Sequence, residues 1–152
     1  EHAEFARFGV MHRNTFIDAP RLLDSHGRLM TEAARRLPAP VYVAGQLSGT
    51  EGYAEAIRSG LHVALAAAAD LRGTPLPALP RHTAYGALMA YATDPATADY
   101  QPMHVNFGLV PPLEGPRRKK RERYAAYAAR AREDLGAWVA GRPDLLPGAA
   151  RP

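Results

Sequence analysis

Apolar positions change their spacing along this chain in a definite order. At residues 41–44 Val, Tyr, Val and Ala run without interruption, the pattern of a strand buried on both faces of a largely parallel sheet. A glycine-rich turn follows. Tyr53, Ala56, Ile57, Gly60, Leu61, Ala64, Leu65 and Ala68 then recur at i, i+3, i+4 and i+7, which predicts an amphipathic helix packed on that sheet by this stripe. Residues 7–17, RFGVMHRNTFI, read as a further strand or extended segment, and residues 105–110 as a third candidate. Residues 83–93, TAYGALMAYAT, predict a short helix N-capped by Thr83 and ended before Asp94 and Pro95. Beyond Pro116, the positions Tyr124, Tyr127, Ala128, Ala131, Leu135, Trp138 and Val139 form the apolar face of a last helix. Residues 18–40 read as connection rather than core, and residues 71–82, with Pro75, Pro77 and Pro80, as a semi-rigid linker. Residues 100–113 read as an ordered extended segment lying across other structure, and residues 141–152 as a frayed tail.

Size alone demands no partner, since a chain of 152 residues can bury about two thirds of its unfolded surface. The strand pattern does demand one, because a central parallel strand needs neighbours and crossovers that so few strand candidates cannot supply. With the opening EHAEF in place of a methionine, this leads us to expect a piece of a larger protein that folds poorly alone. The absence of cysteine excludes a disulfide framework, a thiolate metal site and a cysteine nucleophile within the chain, and fits a cytoplasmic protein. The longest apolar stretch, 61–69, contains His62 and falls short of the roughly 18 residues of a membrane span, so no membrane association is expected. Net charge is +4, yet only Lys119 and Lys120 are lysine among 19 basic residues. That arginine bias, with the richness in alanine, proline and glycine, matches GC-rich coding, so the placement of charge says more than its total.

Three stretches carry candidate chemistry. In the turn, Gly45, Gly49 and Gly52 remove side chains where backbone must bend or approach a ligand, and the helix that follows aims its first N–H groups at the same place. Pyrophosphate or the carbonyl edge of a flavin would suit that field. The spacing is not the G-x-G-x-x-G fingerprint, and an ordinary strand-to-helix connection would account for the same glycines. His12, Arg13, Asn14 and Thr15 interrupt an apolar segment, as cavity-lining backbone or a surface loop would. Gln101, His104 and Asn106 could face a ligand from the extended segment. Arg117, Arg118, Lys119, Lys120, Arg121 and Arg123, opposed only by Glu122 within residues 115–123, stand at the start of the last helix, where they oppose its dipole. Either polyanion binding offsets that cost or the run is a solvated face. No metal-ligand set is expected.

Taken together, MHRNTFIDAPRLL, AGQLSGTEGYAEAIRSGL, HTAYGALMAYAT, YQPMHVNFGLVPPL and the basic helix resemble, in this order, the C-terminal third of the folate- and FAD-dependent tRNA uracil-C5 methyltransferases, the TrmFO family. AGQLSGTEGYAEA is shared in outline with GidA-type tRNA-modifying flavoproteins, whereas HRNTF and QPM-x-x-NFGL narrow the likeness to the methyltransferases. The resemblance implies an α/β fold: the C-terminal part of a Rossmann-like, glutathione-reductase-type FAD-binding domain over residues 1–72, then a linker and helical extension over 73–152. It implies a parent enzyme that forms 5-methyluridine in the tRNA T loop, with methylenetetrahydrofolate as carbon donor and NAD(P)H as reductant. Gly45, Gln46, Gly49, Thr50, Glu51, Gly52 and Tyr53 would approach the FAD. His12 would stack on the folate pterin or line the flavin, supported by Arg13, Asn14 and Thr15, and the six basic residues from Arg117 to Arg123 would contact tRNA. His104 stands where the family often has asparagine. The first dinucleotide-binding turn and the cysteines of such enzymes are absent here, so the remainder of the parent polypeptide must supply them, and this chain contributes no catalytic residue. A basic RNA-binding module without catalysis, and another GidA-like flavoprotein, are the competing readings.

Overall fold

The computed structural model describes residues 16–142, in which five helices are joined by extended segments. These are α1 (Ala19–Leu22), α2 (Glu32–Arg35), α3 (Tyr53–Leu71), α4 (Ala84–Ala92) and α5 (Lys120–Ala140), with a single 3-10 turn at Gly45–Ser48. The expected strand at 7–17, apart from its last two residues, and most of the tail expected at 141–152 lie outside the described residues.

Among the described residues, β-pairing is confined to isolated bridges, so a multi-stranded parallel sheet is not present within them. Residues 41–43 are extended but pair antiparallel with 27–29, through Leu29 N–H to the Val41 carbonyl at 2.8 Å and Val43 N–H to the Gly27 carbonyl at 2.8 Å. Val41 to Ala44 are each only half-buried, unlike a strand covered on both faces. Residues 105–110 likewise form no strand; 107–109 close a turn in which Leu109 N–H donates to the Asn106 carbonyl.

Within the segment at 18–40, residues 19–34 supply core, and 35–40 are an exposed connection. Ile17, Ala19, Leu22, Leu23, Leu29 and Ala34 form the largest apolar cluster, joined by Ala92 of α4 and by Tyr100. Short helices serve here where periodicity could not be read: α1 is a single turn opened by Pro20, and α2 a single turn capped by Thr31, whose hydroxyl accepts from Ala34 N–H at 3.1 Å.

The helix at 53–71 forms where its period predicts, but turned the other way. Its buried face is Ser59, His62, Ala66 and Ala69, while Tyr53 is 94% exposed, Ile57 75% and Leu61 53%. Small Ala66 and Ala69 let Leu76 and the Tyr42 ring approach the helix closely, and the Tyr42 hydroxyl donates to Asp70 at its far end (2.5 Å), where Arg28 also pairs at 3.2 Å. Of the expected stripe only Leu65 and Ala68 pack against this cluster, and the larger Tyr53, Ile57 and Leu61 stay exposed.

Residues 74–80, within the stretch expected as a semi-rigid linker, form a strap held on both sides. Leu76 and Leu79 are buried, Trp138 Nε1 donates to the Pro77 carbonyl (3.1 Å), and Arg142 donates to the Pro75 carbonyl (2.7 Å). Trp138 thereby joins the Ala66–Leu76 cluster to a third cluster of Leu79, Tyr85, Leu88 and Met89. Helix α4 starts as predicted, with the Thr83 hydroxyl accepting from Gly86 N–H at 3.1 Å. No helix of the described residues is long and apolar enough to cross a membrane.

Candidate cofactor turn and basic helix

Three layers of hydrogen bonds hold the glycine turn. Gly45 N–H donates to Ser59 Oγ of α3 at 2.6 Å, and the Gly45 carbonyl accepts from both Ser48 Oγ (2.7 Å) and Thr50 Oγ1 (2.8 Å). The extended segment then clamps the turn as a short parallel bridge: Met103 N–H donates to the Gly49 carbonyl and Glu51 N–H to the Met103 carbonyl, each at 3.1 Å. Gly49 takes the left-handed conformation, φ 79°, and a Cβ there would run into the phenol of Tyr100, whose hydroxyl donates to the Ser48 carbonyl at 3.2 Å.

The residues of the turn differ in exposure. Gln46, Gly52 and Tyr53 are exposed, and Gly45 and Glu51 are partly so. Thr50 is fully buried with its hydroxyl turned inward, and Gly49 lies under Tyr100, so both build the turn instead of lining its surface. The N-cap of α3 is Gly52, which has no side-chain oxygen to satisfy the first-turn N–H groups. Its φ of 104° and the nearness of the Glu55 carboxylate restrict the position to glycine. Glu55 itself accepts from Val105 N–H at 3.2 Å. A solvent-facing helix start without a side-chain cap fits an electron-rich carbonyl edge such as that of a flavin. His12, Arg13, Asn14 and Thr15 lie outside the described residues.

Beneath the turn lies a polar cluster that periodicity did not reveal. His62 is fully buried and stacks on His26, with ring centroids 5.4 Å apart and planes 15° apart, and meets Tyr85 edge-on at 5.9 Å. Arg58 covers the Tyr85 ring at 5.3 Å. Burial, then the neighbouring His26 and Arg58, lower the His62 pKa to about 4, whereas the Ser25 carbonyl opposes that shift through a 3.3 Å contact with Nε2. Burial pushes the Tyr85 hydroxyl up to about 12. His26 Nε2, His62 Nδ1 and Arg58 Nη1 are buried without a hydrogen-bond partner. The one legible signal was the spacing of Ser59, His62, Ala66 and Ala69, a small and polar face opposite the apolar stripe.

The basic run divides at the helix boundary. Helix α5 begins at Lys120 with Lys119 as N-cap, so Arg117 and Arg118 precede it, and Arg118 Nη1 donates to the Glu114 carbonyl at 3.0 Å. Lys119, Lys120, Arg121 and Arg123 are exposed, and Glu122 is the first turn's acid. No residue of α5 is buried. Tyr124, Tyr127, Ala128 and Ala131 of its expected apolar face line a recess of about 250 Å³ against Val105, Phe107 and Val110. Gln101 and His104 are exposed, while Asn106 closes a local turn, with Oδ1 accepting from Gly108 N–H at 2.9 Å and Nδ2 donating to the His104 carbonyl at 3.1 Å. Among the described residues no group of histidine, aspartate or glutamate is arranged to hold a metal ion.

Residues 1–75 match the family model described as "Glucose inhibited division protein A". Across 97% of its length, the chain is 44% identical to a Syntrophotalea carbinolica protein named "Methylenetetrahydrofolate--tRNA-(uracil-5-)-methyltransferase TrmFO", covering 32% of that protein. Identically named proteins of Rhizorhabdus wittichii and Desulforudis audaxviator are 50% and 47% identical, each over 91% of the chain, with 31% and 30% of their own lengths covered. The chain thus spans about a third of the length of the curated relatives it matches.

Proposed function

We propose, from its homology over nearly its whole length to proteins named as TrmFO methyltransferases, that this chain is part of a folate- and FAD-dependent enzyme that forms 5-methyluridine in the tRNA T loop. The observation that carries the reading is the 44–50% identity across 91–97% of the chain, which includes both the glycine turn and the basic helix. Residues 1–72 would complete a Rossmann-type FAD-binding domain with the remainder of the parent polypeptide, and 73–152 would form its helical extension. In that arrangement residues 41–44 gain sheet neighbours, and the exposed Tyr53, Ile57 and Leu61 of α3 gain cover.

Within such a site Gly45, Gln46, Glu51, Gly52 and Tyr53 would approach the flavin, with the uncapped first turn of α3 donating to its carbonyl edge. Gly49 and Thr50 would hold that turn in place from below. Once bound, FAD would supply the redox and one-carbon chemistry, with methylenetetrahydrofolate as carbon donor and NAD(P)H as reductant. His12, with Arg13, Asn14 and Thr15, would line the folate or flavin. Arg117, Arg118, Lys119, Lys120, Arg121 and Arg123 would hold tRNA phosphates, at an affinity that falls with salt. The chain contains no cysteine, so attack on the uracil would need one from outside it.

The test is to purify the longer polypeptide that carries this sequence, record flavin absorbance, and assay methylation of a T-loop RNA with methylenetetrahydrofolate. A yellow protein that methylates only with folate is expected. A yellow protein that modifies tRNA without folate would favour another GidA-type flavoprotein, and a colourless, inactive one that binds RNA would favour a non-catalytic module.

A further inference from the structure

We propose that the recess between residues 105–110 and α5 is a nucleobase site, in which one unstacked base of an RNA loop packs against Phe107 and Tyr124 while the basic start of α5 holds its flanking phosphates. The base site rests on the proposed binding of RNA by α5 and adds a second kind of contact to it.

Size and lining set the class of ligand. At about 250 Å³ the recess lies just below the roughly 300–1,000 Å³ of pockets that enclose drug-sized ligands, which suits a single planar ring system better than a dinucleotide. Its walls are Val105, Phe107, Val110, Tyr124 and Tyr127, with the His82 ring at one side. Phe107 stacks on Tyr124 with centroids 4.6 Å and planes 6° apart, yet remains 52% exposed. A half-open aromatic stack is a platform that a third ring can extend, and every base offers a π-face.

The walls are already held in place. Arg130 donates to the Pro112 carbonyl at 2.9 Å and the Pro111 carbonyl at 2.5 Å, and its guanidinium lies 5.3 Å from the Tyr127 centroid, which fastens the extended segment to α5. On the opposite side, Asp134 meets His82 Nδ1 at 2.7 Å and fixes that ring. A base entering the recess would therefore meet little ordering cost in the wall.

Charge selects nucleic acid over other planar or apolar occupants. Lys120 Nζ lies 5.8 Å and Arg123 Cζ 5.5 Å from the Tyr124 centroid, so the cationic run begins at the rim of the aromatic stack. Four exposed cations lie within the five residues 119–123, where phosphates on either side of an inserted base would fall. An uncharged peptide or acyl chain would gain nothing from them.

The experiment measures binding of the longer polypeptide that carries this sequence to a stem-loop RNA carrying 2-aminopurine in its loop, and to the same RNA with an abasic site there, across a salt series. We expect 2-aminopurine quenching on binding, and a five- to hundredfold weaker affinity, roughly the range for losing one stacked base, for Phe107→Leu and for abasic RNA on the unsubstituted chain. The salt slope should not change with either. Tyr124→Phe, which keeps the ring, should bind like the parent, and circular dichroism should show that each variant retains its helices. Salt-dependent binding indifferent to Phe107→Leu and to the abasic site would overturn the base site and leave the phosphate contact standing. Failure of the folded chain to bind either RNA, or preference for an acidic peptide over both, would overturn the two together.

Discussion

Tyr100 closes over Gly49, its phenol occupying the space a Cβ at 49 would need and its hydroxyl donating to the Ser48 carbonyl at 3.2 Å. The outward-facing part of the glycine turn therefore depends on a buried residue far along the chain.

Gly49→Ala should consequently be severe for so small a change. The left-handed φ of 79° costs a non-glycine residue about 1–2 kcal/mol, and the added methyl must also displace a buried ring. We expect a loss of roughly 2–4 kcal/mol in thermal or urea unfolding. Tyr100→Phe keeps the ring and should lose only about 1 kcal/mol with its hydrogen bond. Equal effects of the two would mean that the packing of Tyr100 on Gly49 is unimportant.

Acid should loosen the layer beneath the turn. His62 has a folded pKa of about 4 against an unfolded value near 6.5, so between those values the unfolded chain binds the extra proton. The stability it contributes is complete above pH 6.5 and is lost as pH falls towards 4, by at most about 3 kcal/mol for a shift of this size. Unfolding free energies measured from pH 7 to 4 should show this decline, and His62→Gln should flatten it. An unsubstituted chain already flat across that interval would exclude His62 as the cause.

Replacing Lys120, Arg121 and Arg123 by glutamine should move two measurements in opposite directions. RNA affinity should fall, with the salt slope smaller by about 0.7 for each single-strand phosphate the helix no longer neutralises. Melting temperature should hold or rise slightly, because cations at a helix N-terminus oppose its dipole. A merely structural role would lower both.

Thr83 both caps α4 and ties it to the strap. Its hydroxyl accepts from Gly86 N–H at 3.1 Å and donates to the Pro80 carbonyl at 2.7 Å. Thr83→Ala should cost about 1–2 kcal/mol in denaturant unfolding, whereas Thr83→Ser should restore most of it.

Local rules carried the elements whose determinants lie within a few residues. The bounds of α3 and the Thr83 cap of α4 were legible because helical spacing, caps and turn residues act over one or two turns. The motif order was also legible, and with it the likeness to the TrmFO-named proteins. The position of α5 was nearly so, misplaced only by putting Arg117 and Arg118 in its first turn when the helix begins at Lys120.

Orientation was decided by the whole chain. A hydrophobic stripe shows that a helix has an apolar side without showing what covers it, and within residues 16–142 the covered side of α3 is instead Ser59, His62, Ala66 and Ala69. The stacking of His26 on His62, the burial of Thr50, the packing of 19–34 with Ala92 and Tyr100 and the recess at Phe107 all join residues far apart in sequence. Sequence by itself determined where the longer helices α3, α4 and α5 form and where positive charge gathers, because backbone sterics and side-chain periodicity are local. Only tertiary structure decided which faces meet, because burial depends on the shape and volume of distant neighbours that no spacing records.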